Sequence, residues 1–432
     1  MKKKQVWFSA FASSMDWKSK AFSNARNKLI INSIYLSGSQ LIARGVGFLF
    51  FVFLARSLSV ENFGILSWVL GFVYNFFPLA DFGLERMVLK YLPRNPSEKQ
   101  VYLSRLLPLR LILAISAVFI AVIAGFAIGV EKSKLFYIFV FGLSLLPYNL
   151  FMIVASVQNA LEKMKTFALV NLTNSILSAV FGIIFILLGF PILYVFIGYI
   201  LSSLVVWIGL WFFIKKIDLK IEFVVDLNFW KKLIKEAWVF ALIFFTAVFY
   251  IRISLILVGQ LLGDYWAGIY GAASKFVEAG ILIPQSIAIA LFPLSSRLII
   301  KNKELLKGYY LKTIAILFIM SIPFAFTMYF GSQYIMPLIY GIEYMPSVPV
   351  FSLMGILMMF YFVNALPGNI IQNSDKFIKF LPFAILNFLV ALIAGLIIIP
   401  RAGVIGGVWA MIIGEAFGLI INNIFVFKIL KA

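Results

Sequence analysis

Some twelve times along this chain of 432 residues, roughly twenty consecutive positions are almost wholly apolar, and no other feature constrains the fold as severely. As a helix rising ~1.5 Å per residue, a run of that length spans the ~30 Å hydrocarbon core of a bilayer. No water is available there, so every backbone N–H and C=O must be paired within the protein, which leaves only helices and closed barrels. The runs are continuous in Leu, Ile, Phe and Val instead of alternating with polar residues, and this selects helices. Composition agrees, with 63% of residues hydrophobic and 12% charged. The expected fold class is an all-α integral membrane protein with twelve transmembrane helices at 29–55, 62–84, 106–129, 135–158, 167–189, 192–214, 237–259, 266–292, 312–330, 348–372, 380–399 and 403–427.

The formal net charge of +20 would point to nucleic acid in a soluble chain. Here the bases lie in short connections between spans, where Lys and Arg orient a membrane protein, so no nucleic-acid partner is implied. With the amino terminus inside, the inner segments carry 29 Lys and Arg, against four on the outer side: Arg56, Lys132, Lys134 and Arg401. That split predicts a multi-pass protein of the cell (plasma) membrane with both termini cytoplasmic. The absence of cysteine and histidine removes disulfides, thiolate chemistry and imidazole bases. There is no GxxxxGKS or GxxxxGKT phosphate loop, hence no built-in ATPase.

Four segments are expected. Residues 1–28 form a basic and aromatic cytoplasmic segment, 29–214 a first half of six helices, 215–236 a cytoplasmic interfacial connection with helical charge alternation, and 237–432 a second half of six helices. Internal repetition supports the two halves. Laying LARSLSVENFGIL (Leu54 to Leu66) over VGQLLGDYWAGIY (Val258 to Tyr270) matches Leu58 to Leu262, Gly64 to Gly268 and Ile65 to Ile269, a shift of 204 residues. QNALEK (Gln158 to Lys163) likewise resembles QNSDK (Gln372 to Lys376). Six spans per half put the copies in the same orientation, giving a pseudo-twofold axis along the membrane normal and a central cavity between halves.

Within the spans the ionisable residues are Arg44, Arg110, Arg252 and Lys275 against Glu278 and Glu415, with Asp81 near an inner end. Arg252 lies deepest, ~22 Å along its helix when counted from Ala237. A guanidinium there costs on the order of 2.5–3.5 kcal/mol unless it faces a wet cavity or a partner, which makes it a functional-site candidate. The alternative is a side chain that snorkels to the outer interface. Arg110, close to the inner end of its span, reads as an interfacial anchor. Pro78, Pro284, Pro323 and Pro367 interrupt spans and can permit bending, although Pro is common in membrane helices.

The motifs RSLSVENFGILSW (Arg56 to Trp68), DFGLERMVLKYLPRN (Asp81 to Asn95), GDYWAGIYGAASKFVEA (Gly263 to Ala279), FPLSSR (Phe292 to Arg297) and LIYGIEYMPSVPVF (Leu338 to Phe351) resemble the polysaccharide-exporter branch of the MOP superfamily. That branch comprises Wzx-type flippases of lipid-linked oligosaccharides. The resemblance covers nearly the full chain and implies a V-shaped twelve-helix transporter working by alternating access. One departure is Ser254, which stands five residues before Gly259 where many relatives carry an acidic residue, so a coupling role for that carboxylate does not carry over.

The resemblance implies a non-enzymatic flippase carrying a polyprenyl-pyrophosphate-linked oligosaccharide from the cytoplasmic to the outer leaflet, among membrane lipids and alongside a glycan polymerase or glycosyltransferases. Arg44, Arg252 and Lys275 are the expected substrate-binding residues, because a guanidinium fork binds phosphate oxygens in pairs. Lys275 and Glu278, spaced i, i+3, can also simply neutralise each other. Glu415 has no partner within a helical turn, so it must pair across helices, be protonated or bind a cation. Glu415 and Glu278 are the expected ion-coupling residues, with H+ or Na+ as the coupling ion and no other cofactor or metal. Asn174, Asn387, Gln158, Gln372, Asn364 and Asn369 can contact sugar hydroxyls, although such residues more often join helices. The competing reading is a cation-coupled multidrug exporter of the MATE type, whose cavity should be acidic or apolar. A membrane glycosyltransferase or polymerase would need a catalytic group held by a sizeable loop or domain, and none is evident.

Overall fold

The computed structural model describes residues 20–214, 219–374 and 376–431. Residues 1–19 of the basic segment and 215–218 of the connection lie outside the described residues. Twelve helical segments among the described residues are long and apolar enough to cross a membrane. In chain order, the first to twelfth spans are Gly38–Ser57, Val60–Arg94, Pro96–Ala127, Lys132–Ala160, Met164–Leu187, Leu193–Ile214, Leu227–Leu262, Asp264–Phe292, Lys303–Tyr340, Ile342–Gln372, Ile378–Ala402 and Val404–Lys431. No strand occurs among the described residues. At one end of the bundle the chain reverses through tight turns at Gly129, Gly189, Gly263, Gly341 and Gly403, all with positive φ, a conformation that only a residue without Cβ adopts freely. The opposite, basic end carries the longer connections.

Three differences from the expected boundaries have local causes. The ninth span is a helix of 38 residues, because Lys303 to Lys312 is amphipathic and prolongs it beyond the apolar stretch at 312–330. The second span is broken into helices Val60–Tyr74, Phe77–Asp81 and Leu84–Tyr91, with Phe82 and Gly83 both left-handed. The connection expected as one interfacial helix contains none over residues 219–226. The Gln100 side-chain amide donates to the Lys220 carbonyl and accepts from the Lys220 N–H, and Val224 N–H donates to the Ser104 carbonyl. Helix resumes at Leu227, capped by Asp226, whose side chain accepts from the Phe229 N–H. Asp226 also pairs with Arg105 at 3.0 Å, and the Trp230 indole donates to the Arg105 carbonyl. The start of the seventh span is therefore fastened to the third.

Packing repeats between the first six spans and the last six. The first packs on the fifth as the seventh does on the eleventh, and the fourth packs on the sixth as the tenth does on the twelfth. The second and eighth spans meet on the axis between them. There a Cβ on Gly64 would stand 1.8 Å from the Asp264 carbonyl oxygen, and one on Gly268 would stand 2.2 Å from that of Val60. The two contacts exchange under the 204-residue shift, as an isologous pairing requires. Gly71 against Leu255 and Lys275 over the Phe51 ring are related in the same way. At the tight-turn end Arg56 of the first span donates to the Ile339 and Leu338 carbonyls of the ninth, and Gln260 of the seventh donates to the Ile128 carbonyl at the end of the third. Crossed straps therefore close this end. Pro78 follows the first break in the second span, and Pro284 follows the break at Ile281 in the eighth. Pro323 and Pro367 lie within unbroken helices.

Candidate functional site

Beneath the closed end lies a cavity of about 470 Å³, lined from the first, second, seventh and eighth spans. Arg44, Arg252, Lys275 and Glu278 all face it, with Tyr74 and Gln285. The Arg252 guanidinium sits 5.4 Å from the centre of the Tyr74 ring, a cation–π contact that holds it inward instead of toward the outer interface. Lys275 bonds Glu278 at 2.9 Å and lies 4.1 Å from the centre of the Phe51 ring. Three cations against one carboxylate leave this cavity with two formal positive charges. Its two side walls differ. The second and seventh spans pack together over much of their length, whereas the first and eighth make few contacts, among them Phe48 on Phe276.

Two further chambers adjoin the central one. The first, about 290 Å³, shares Tyr74 and Arg252 with it and extends among the second, third and fourth spans, with the seventh closing it through Phe244 and Val248. It contains Asp81, Glu85, Arg110, Tyr148 and Asn149. Arg110 is no interfacial anchor: its side chain is 1% exposed and forms an ion pair with Asp81. Proximity to the span's end misled the sequence reading, because the break in the second span turns Asp81 inward to meet it. Removing only one partner of such a pair strands the other charge. Arg110→Ala should accordingly lower stability by on the order of 3 kcal/mol, and Asp81→Leu combined with Arg110→Met should recover most of it. Thermal unfolding in detergent reads this out, and a single variant as stable as the parent would exclude the coupling.

The other chamber, about 300 Å³, lies among the seventh, tenth, eleventh and twelfth spans. Glu415 is buried there and finds its partner across helices, where Asn364 donates to its carboxylate at 2.5 Å and to its carbonyl at 3.0 Å. Among the described residues, no Lys or Arg lines this chamber. The Tyr250 hydroxyl lies within hydrogen-bonding reach of Glu415 and Asn387, and Asn364 Oδ1 is buried without a hydrogen-bond partner. Gln372 also lines it. Asn174 accepts from Ser202 and Ser203, and Asn369 joins Ala288 and Ser295, so these two act as helix glue. Gln158 is buried with Oε1 unpartnered. Glu85, Tyr148 and Asn149 were not singled out from sequence. The available signal was the i, i+4 spacing of Asp81 and Glu85 in an apolar run.

A twelve-span bundle with paired halves, closed at one end around a polar cavity, defines a polytopic α-helical membrane protein. Residues 29–299 match the polysaccharide biosynthesis protein family, and the chain belongs to that family. Among solved structures, an inward-facing multidrug resistance MATE family transporter of the MOP superfamily superposes with a TM-score of 0.71 at 14% identity, covering 93% of this chain and 98% of that one. The lipid II flippase MurJ in an inward closed conformation gives 0.70 at 18% identity, covering 92% and 89%. A MOP superfamily transporter from Pyrococcus furiosus, described as having a binding pocket of reverse polarity, gives 0.63 at 16% identity, covering 93% and 96%. No curated protein sequence matches the chain.

Proposed function

We propose that this protein flips a polyprenyl-pyrophosphate-linked oligosaccharide from the cytoplasmic to the outer leaflet by alternating access between its two halves. The observation that carries this reading is the excess of cations in the central cavity, where Arg44, Arg252 and Lys275 face a single carboxylate. A cavity of that polarity favours an anionic group, and the fork of arginine suits the paired oxygens of a pyrophosphate. In this scheme the tight-turn end faces outward, both termini are cytoplasmic, and the weakly packed wall between the first and eighth spans admits the lipid chain. Glycosyltransferases supply the substrate and a polymerase or transferase consumes it. The driving force is an H+ or Na+ gradient acting through Glu415, whose chamber holds the unpaired Asn364 Oδ1 and, among the described residues, no Lys or Arg. Glu278 is the second coupling candidate, released when phosphate draws Lys275 away. The alternative is a cation-coupled exporter of the MATE type, favoured by the same Glu415 chamber.

Proteoliposomes separate the two readings. A fluorescent polyprenyl-pyrophosphate oligosaccharide should become accessible to a membrane-impermeant quencher only where active protein is present, with no efflux of a lipophilic cationic dye. Dye efflux without lipid movement would establish the exporter. Orientation is tested separately: reporters fused at Lys132, Asp264 and Arg401 should read outside, and those at Asn95, Asp226 and Lys303 inside. Inverted readings at any pair would overturn the topology.

A further inference from the structure

We infer that the chamber among the second, third and fourth spans receives the first, uncharged sugar of the translocated headgroup, an inference that rests on the flippase reading above. In a lipid-linked saccharide that sugar is bonded directly to the pyrophosphate, so its subsite must adjoin the anion site. This chamber does so through the shared wall of Tyr74 and Arg252. Its polarity does not call for a second phosphate. Asp81 and Arg110 neutralise each other, and Glu85 balances the shared Arg252, so the chamber lacks the excess of cations that marks the central cavity. What remains is a close mixture of donors and acceptors, which suits sugar hydroxyls because each of them both donates and accepts.

Two independent observations point to a ligand. Arg110 Nε is buried and lacks a hydrogen-bond partner in a residue that lines the chamber, and such groups are rarely left unsatisfied without a purpose. The second span is broken at Phe82–Gly83, directly between Asp81 and Glu85. Irregular backbone at membrane depth is tolerated where it lines a cavity, and broken helices commonly form transporter binding sites. Aromatic rings complete the chamber. Phe77 packs 4.9 Å from Tyr74 and 5.2 Å from Tyr148 between ring centres, giving flat apolar faces for the C–H side of a pyranose.

The test compares two probes on the purified full chain in detergent: a short polyprenyl pyrophosphate, and the same lipid bearing one N-acetylhexosamine. The parent should bind the sugar-bearing lipid about tenfold more tightly, the worth of one hydrogen bond to a charged group. Glu85→Gln and Tyr148→Leu should each cut that preference to below about threefold while changing affinity for the sugar-free lipid by less than about twofold. Equal affinity of the parent for both lipids overturns the inference and leaves the pyrophosphate reading intact. Loss of both lipids in parallel in the two variants also overturns it, since the chamber would then serve structure alone. If the parent fails to bind the sugar-free lipid, or Arg252→Ala does not weaken that binding, the flippase reading fails and this inference with it.

Discussion

Arg252→Ala should lower glycan delivery to the outer surface, normalised to inserted protein, by about tenfold to a hundredfold. The expected loss is that of charge-assisted hydrogen bonds to the proposed anion, in a cavity that Arg252 shares with Arg44 and Lys275. Abundance in the membrane should hold or rise, because the substitution removes a costly intramembrane charge. Arg252→Lys keeps the charge and loses the fork, so it should retain partial activity. The Arg44→Ala, Arg252→Ala double variant should fall further than either single change. A purely structural Arg252, serving only its contact with Tyr74, predicts lower abundance with unchanged transport per molecule. Full normalised activity in the double variant would rule out substrate recognition by these residues.

Gly64→Val should abolish closure of the tight-turn end and with it transport. Even a single Cβ at Gly64 would sit 1.8 Å from the Asp264 carbonyl oxygen, a backbone atom held by the eighth span, so the two spans must part. Overpacking of this kind costs typically ~1–3 kcal/mol, and a clash with backbone at the upper part of that range, above ~1.4 kcal/mol, shifts the closed population tenfold or more. The chain has no cysteine, so a single Ser67→Cys reporter, buried near this contact, carries no background. An impermeant thiol reagent should label it at least about tenfold faster in the Gly64→Val background. Gly209→Val, where an added Cβ meets nothing within 4 Å, should leave labelling unchanged and serves as the control. Labelling of the Gly64→Val protein at the parental rate would show that the spans separate elsewhere.

The seventh span links these two predictions mechanically. Its first turns are fastened to the third span by Asp226, Trp230 and their partners, and Tyr91 of the second span bonds Glu236. Its later turns pack on the eleventh and twelfth spans. Arg252 thus sits on a helix fastened to spans of both halves, so relative motion of the halves bears directly on its position.

By itself the sequence determined the class, the number of spans and the repeat, because these depend on properties that need no partner. Apolar run length against bilayer thickness dictates helices, and a copied segment preserves its spacing, as the reciprocal Gly64 and Gly268 contacts display. Depth alone raised the expectation that Arg252 faces a cavity, since a charge there has few tolerable environments, but which other charges share that cavity was not readable from the sequence. Only the tertiary structure decided which charge meets which. Arg110 pairs with Asp81 from another span, Glu415 takes its hydrogen bonds from Asn364 rather than a cation, and the chamber holding Glu85 and Tyr148 exists only because the second span breaks. Helix rotation and breakage are set by packing among neighbours, and in a chain this uniformly apolar no stripe of hydrophobic residues records which face turns inward.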